Sequence, residues 1–133
     1  MEKEEFNQNM MQLNLFGSKL QEIEQQLQLI DKHISELQVT GLALQELGGT
    51  KKDTDMLAPI GQNIFVKAKI QNIDTVIVDL GSKVFAEKSL EEAKEIINQK
   101  IDEFSDIKEK IAEQAQTVLN AIDQIENKTK LKS

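Results

Sequence analysis

The sequence predicts an α+β fold, predominantly α: a long antiparallel coiled-coil hairpin with two central β-hairpins that serve as an oligomerisation platform. Two observations carry the fold class. The chain's outer stretches space their apolar residues by threes and fours, the period of a coiled-coil seam. The stretch between them switches to period two and is rich in β-branched residues. The expected organisation is one domain over residues 1–133, with a first helix over 4–47, two β-hairpins over 53–88 and a second helix over 89–130.

The first helix places apolar or small residues at Phe6, Met10, Leu13, Phe16, Leu20, Ile23, Leu27, Ile30, Ile34, Leu37, Gly41 and Leu44. From Leu20 onward the steps alternate strictly. The two consecutive threes from Met10 through Leu13 to Phe16 read as a stammer. Gly48-Gly49 stands where a C-terminal glycine ends a helix. The second helix opens on a capping box, Ser89-Leu90-Glu91-Glu92: the Ser89 hydroxyl can accept from the Glu92 N–H while the Glu92 side chain reaches back. Its seam runs Leu90, Ala93, Ile97, Ile101, Phe104, Ile107, Ile111, Ala115, Val118, Ile122, Ile125 and Thr129.

In the middle segment Ile64, Val66, Ala68 and Ile70 share one face, and Val76, Val78 and Leu80 share another. Met56–Ile60 and Val84–Glu87 read as shorter strands. Pro59 lacks an N–H, so its strand lies at an edge or bulges there. Gly61, Asn72-Ile73-Asp74 and Gly81-Ser82 supply the turns.

Two seams of similar length flank a short β segment, so antiparallel pairing within the chain is the economical arrangement. Aligning the seams puts Leu44 with Leu90, Leu37 with Ile97, Ile30 with Phe104, Gly41 with Ala93 and Phe6 with Thr129. About 40 residues of helix give an arm of roughly 60 Å. Such a thin arm buries little, and a hairpin alone leaves a face uncovered. Both facts predict an oligomer assembled through the β segments.

Composition narrows the function. Aromatics are 4% of the chain, with no Trp or Tyr, which suits an elongated helical molecule better than a compact core. Net charge is −7, the sequence pI is about 4.8, and Arg is absent. An acidic chain without the guanidinium fork argues against nucleic-acid binding. No Cys is present, so thiolate metal sites and disulfides are excluded. No apolar run reaches the length of a membrane span. The acidic start, Met1-Glu2-Lys3-Glu4-Glu5, does not resemble a signal peptide, and a cytoplasmic location is expected. His33, the single histidine, reads as a solvated helix residue. Asp53-Thr54-Asp55 lacks the glycine and distal glutamate of a calcium loop. Gly48-Gly49-Thr50-Lys51 lacks P-loop spacing. No nucleophile stands at motif spacing from a base, so neither an enzyme nor a cofactor is expected.

The central stretch carries a more specific signal. Leu57-Ala58-Pro59-Ile60-Gly61, Ile64–Ile70, Thr75–Gly81 and Val84–Ala93, in the order helix, two hairpins, helix, resemble the prefoldin family in its alpha class. Beta-class subunits carry one hairpin. The resemblance implies a chaperone subunit in a hexamer of two alpha-type and four beta-type subunits. Their hairpins would build a double β-barrel from which six coiled-coil arms hang. The arms would hold non-native polypeptides without ATP and deliver them to a group II chaperonin. The substrate-binding residues expected at the arm ends are Phe6, Met10, Met11, Leu13, Leu15, Ile122, Ile125 and Leu131. Met11 and Leu15 lie off the seam, and flexible Met and Leu suit promiscuous apolar contacts. Ile122 and Ile125 belong to the seam and become available only if the last turns open. The alternative is a structural coiled-coil adaptor that binds one fixed partner.

Overall fold

The computed structural model describes residues 2–131, with side chains described through residue 129. The element order is α1 (Glu2–Gly48), β1 (Asp55–Gly61), β2 (Ile64–Lys69), β3 (Thr75–Asp79), β4 (Phe85–Ser89) and α2 (Leu90–Leu131). The chain divides into two compact units, one holding Met1–Ser35 with Asp102–Ser133 and the other Glu36–Ile101.

In the first unit, the early part of α1 lies against the later part of α2. Ile23 is 2% exposed and forms the core with Ile30 and Ile125, while Leu13, Phe16, Leu20, Leu27 and Ile34 are half-buried. The facing half-buried positions on α2 include Phe104, Ile111, Ala115, Val118 and Ile122. Two contacts fix the alignment: the Lys108 ammonium lies 2.7 Å from the Asp31 carboxylate, and the rings of His33 and Phe104 stack at 5.3 Å. The solvated position expected for His33 is therefore also a stacking position.

In the second unit, a Cβ at Gly41 would stand 3.8 Å from Ile97 Cγ2, and one at Gly48 would stand 3.7 Å from Leu90 Cδ1. Ile97 thus meets Gly41 rather than Leu37, Leu90 meets Gly48 rather than Leu44, and Phe104 meets His33 rather than Ile30. The register differs from the sequence alignment by about one helical turn. Side-chain volume explains the difference. Setting Gly41 against Ala93 leaves a void, whereas Gly41 against Ile97 joins small to large and fills the layer. Leu44 and Ala93 are both buried.

The same alignment corrects two seam positions. Asn9 is half-buried and Met10 is exposed, so the steps run Asn9, Leu13, Phe16, Leu20, and the stammer disappears. Strict alternation of threes and fours assigns the step between Phe104 and Ile111 to Lys108 rather than Ile107, and both side chains are exposed. In both places the apolar residue sits one position from the polar one. At Asn9, keeping the 3.5-residue period outweighs burying the more apolar neighbour.

The helix ends follow local chemistry. Ser89 is the last residue of β4, paired with Thr75, and it caps α2. Its hydroxyl accepts from the Glu92 N–H at 3.1 Å and donates to the Glu92 carboxylate at 3.1 Å. Glu92 therefore returns to the hydroxyl where a backbone contact was expected. The end of α1 uses no left-handed glycine. The Gly49 and Thr50 N–H groups donate to the carbonyls of Glu46 and Leu47, and the Thr50 hydroxyl donates to the Glu46 carbonyl at 2.7 Å.

Both hairpins form as expected, as two separate two-stranded antiparallel sheets, β1–β2 and β3–β4. Met56 pairs with Ala68, Ala58 with Val66 and Pro59 with Phe65. The register then shifts between Pro59 and Gly61, which places a bulge beside the proline. Asn63 turns the first hairpin at φ 62°. The second turns through Gly81, Ser82 and Lys83, at φ 97°, 52° and 63°, and the Asp79 carboxylate accepts from the Gly81 N–H at 2.9 Å.

Candidate functional site

The surfaces with chemical potential here are apolar rather than catalytic. Among the described residues, no group of three or more His, Cys, Asp or Glu side chains is placed to hold a metal ion. No helix among them is long and apolar enough to cross a membrane.

The first surface belongs to the hairpins. Ile64, Val66 and Ala68 alternate along one face of β2, and Val66 and Ala68 pair with Ala58 and Met56 of β1. Ile70 follows β2 and extends the ladder: its N–H donates to the Thr54 carbonyl and its own carbonyl accepts from the Asp53 N–H. Met56, Ile64 and Val66 are exposed. In the second hairpin Val76, Val78 and Ala86 are half-buried, whereas Leu80, beyond β3, is exposed. The opposite faces carry apolar residues among charged ones, and one-face alternation overlooks them. Leu57 and Phe65 are exposed on the first hairpin, and Ile77, 74% exposed, and Phe85 on the second. The uninterrupted runs Ile64-Phe65-Val66 and Val76-Ile77-Val78 are the sequence signal for this. Apolar residues on consecutive positions are the mark of strands covered on both faces.

The second surface lies in the unit that contains both chain ends. Phe6, Met10, Met11 and Leu15 are exposed on α1. Leu13 and Ile122 are half-buried in the seam, and Ile125 is 9% exposed. The seven expected residues whose side chains are described therefore divide between open surface and core. Leu131 closes α2, and its side chain lies outside the described residues. Several exposed large apolar residues stand outside the expected set: Leu29, Val39 and Leu42 on α1, and Leu119 on α2. They fall off the heptad seam, and isolated off-seam apolar residues give a weak signal in sequence.

Two long helices flanking two small antiparallel β-hairpins, each hairpin carrying exposed apolar side chains, define a class of coiled-coil subunits. Residues 16–132 match the family model described as prefoldin subunit, and the chain belongs to that family. It is 29% identical to the prefoldin subunit alpha of Thermofilum pendens, over 80% of this chain and 83% of that one. It is 28% identical to the prefoldin subunit alpha of Methanobrevibacter smithii, over 90% of this chain and 82% of that one. In fold it is similar to filamentous prefoldin from Methanocaldococcus jannaschii, with a TM-score of 0.81 at 19% identity, covering 88% of this chain and 97% of the other. The relatives and the two hairpins agree with the alpha class. Prefoldin subunits are non-enzymatic chaperone components, and assembly with other prefoldin subunits follows from membership.

Proposed function

We propose that this chain is the alpha-type subunit of a cytoplasmic hetero-hexamer with beta-type subunits. In that assembly it would hold non-native polypeptides without ATP and pass them to a group II chaperonin. The hairpin residues Ile64, Val66, Ala68, Ile70, Val76, Val78 and Leu80 form the assembly surface in this reading, and the β-barrel closes only when several subunits contribute strands. The observation that carries the client-binding part is the exposure of Phe6, Met10, Met11 and Leu15 in the unit that holds both chain ends. Water-exposed apolar side chains at this density are costly unless they are used. Leu13, Ile122 and Ile125 back that surface, and the last turns need little free energy to open.

The test removes about ten residues, roughly three turns, from each end. The truncated subunit should still join its partners and should protect an unfolded protein from aggregation less well, with no nucleotide present. Full protection by a complex whose subunits all lack these ends contradicts the site.

A further inference from the structure

The two helices of the unit containing Met1–Ser35 and Asp102–Ser133 differ on the sides turned away from each other. Heptad positions follow from the buried seam. On α2 the outward positions, from Asp102 through Glu109, Gln116 and Asn120 to Asn127, hold only charged, amide or hydroxyl side chains, all exposed. On α1 the outward positions include Met11, Leu15 and Leu29, which are 65%, 67% and 56% exposed. Between Leu15 and Leu29 the outward residues are Ser18, Gln21, Glu22, Gln25 and Gln28, with a single charge among them.

We infer that non-native polypeptide runs in extended form along the outward face of α1 from Met11 and Leu15 to Leu29, while the outward face of α2 stays in water. The inference rests on the chaperone reading above and moves the contact surface inward from the chain ends. Spacing selects the occupant. A docked helix needs apolar residues every three or four positions to form a continuous seam. Met11 and Leu15 supply one such step, and the next apolar residue on this face is Leu29, about 21 Å further along. An extended chain crosses that distance in about six residues, so two apolar side chains of an unfolded segment reach both patches. The amides and hydroxyl between them can donate to and accept from a backbone that has no secondary structure of its own. A folded partner would require a larger continuous apolar area.

The experiment uses the complex reconstituted with a beta-type subunit and guanidine-unfolded rhodanese diluted into it. The photo-crosslinking residue p-benzoylphenylalanine replaces Gln25 on α1, Gln116 on α2, or Asn7 near the chain end. Crosslinking to rhodanese should be several-fold stronger from Gln25 than from Gln116. The Leu29→Gln substitution should lower the Gln25 yield several-fold while leaving helicity and assembly unchanged. Crosslinks from Asn7 alone would leave the chain-end site standing and overturn this extension of it. Crosslinks from Gln25 without any from Asn7 would support the face and remove the end site. Equal yields from Gln25 and Gln116, or products joining Gln25 to another subunit instead of rhodanese, would overturn the inference.

Discussion

Lys108 reaches across the helix pair to Asp31, with 2.7 Å between ammonium and carboxylate, from a seam position where an apolar residue would normally stand. Ile30, beside Asp31, is buried. The pair is about half-exposed, so it is worth less than about 1 kcal/mol. Asp31→Ala should cost that little in denaturant melts, with the effect shrinking at high salt. Lys108→Ile should stabilise the subunit by about 1 kcal/mol, because an apolar side chain there adds burial against the seam. Loss of helicity in Lys108→Ile would show that the lysine is needed for pairing.

Gly41 offers a second test of the register. Its missing Cβ would sit 3.8 Å from Ile97 Cγ2, an ordinary contact. Gly41→Ala should therefore gain about 0.5–1 kcal/mol, because alanine favours helix. Gly41→Phe should lose stability, as the ring has to displace Ile97. Thermal unfolding of both variants checks this. A stabilised Gly41→Phe would contradict the facing of these two residues.

The turn of the second hairpin holds three successive residues at positive φ, and two of them are not glycine. Lys83→Gly should stabilise the hairpin by about 1 kcal/mol, since a side chain in the left-handed region costs roughly that much. Gly81→Val should destabilise it by at least as much. Amide hydrogen exchange at Val84, whose N–H donates to the Gly81 carbonyl at 3.0 Å, reads the hairpin directly. Slower exchange is expected for Lys83→Gly and faster exchange for Gly81→Val.

Most of the fold was legible because its signals are local. Ser89 and Glu92 announce the start of α2, Pro59 announces the bulge, and alternation in Thr75–Asp79 announces a strand. The register was less legible, since any two heptad arrays can be laid side by side and only side-chain volume chooses between them. Asn9 over Met10 and Lys108 over Ile107 were missed for a related reason: hydrophobicity alone ranks the neighbours wrongly when periodicity decides. The candidate site was legible where apolar residues crowd the start of α1. It was illegible at Leu57, Phe65, Ile77 and Phe85, where reading one face per strand hid the other.

Those opposite faces make assembly through the hairpins testable in two ways. Val66→Asp with Val78→Asp should abolish assembly with partner subunits and leave helicity intact. A charge placed inside an apolar interface without a partner costs several kcal/mol. Phe65→Asp with Phe85→Asp should weaken assembly as well if both faces are covered. Native mass spectrometry reads the outcome, and normal complexes from the first pair would remove the hairpins from the interface.

The most direct test of chaperone action is light scattering from an unfolded protein diluted, in nucleotide-free buffer, into the complex of this chain with a beta-type subunit. Suppressed aggregation that scales with complex concentration, and is unchanged by adding ATP, is the expected result. Aggregation that proceeds as in buffer alone, with the complex shown to be assembled, would contradict a holding function for this chain.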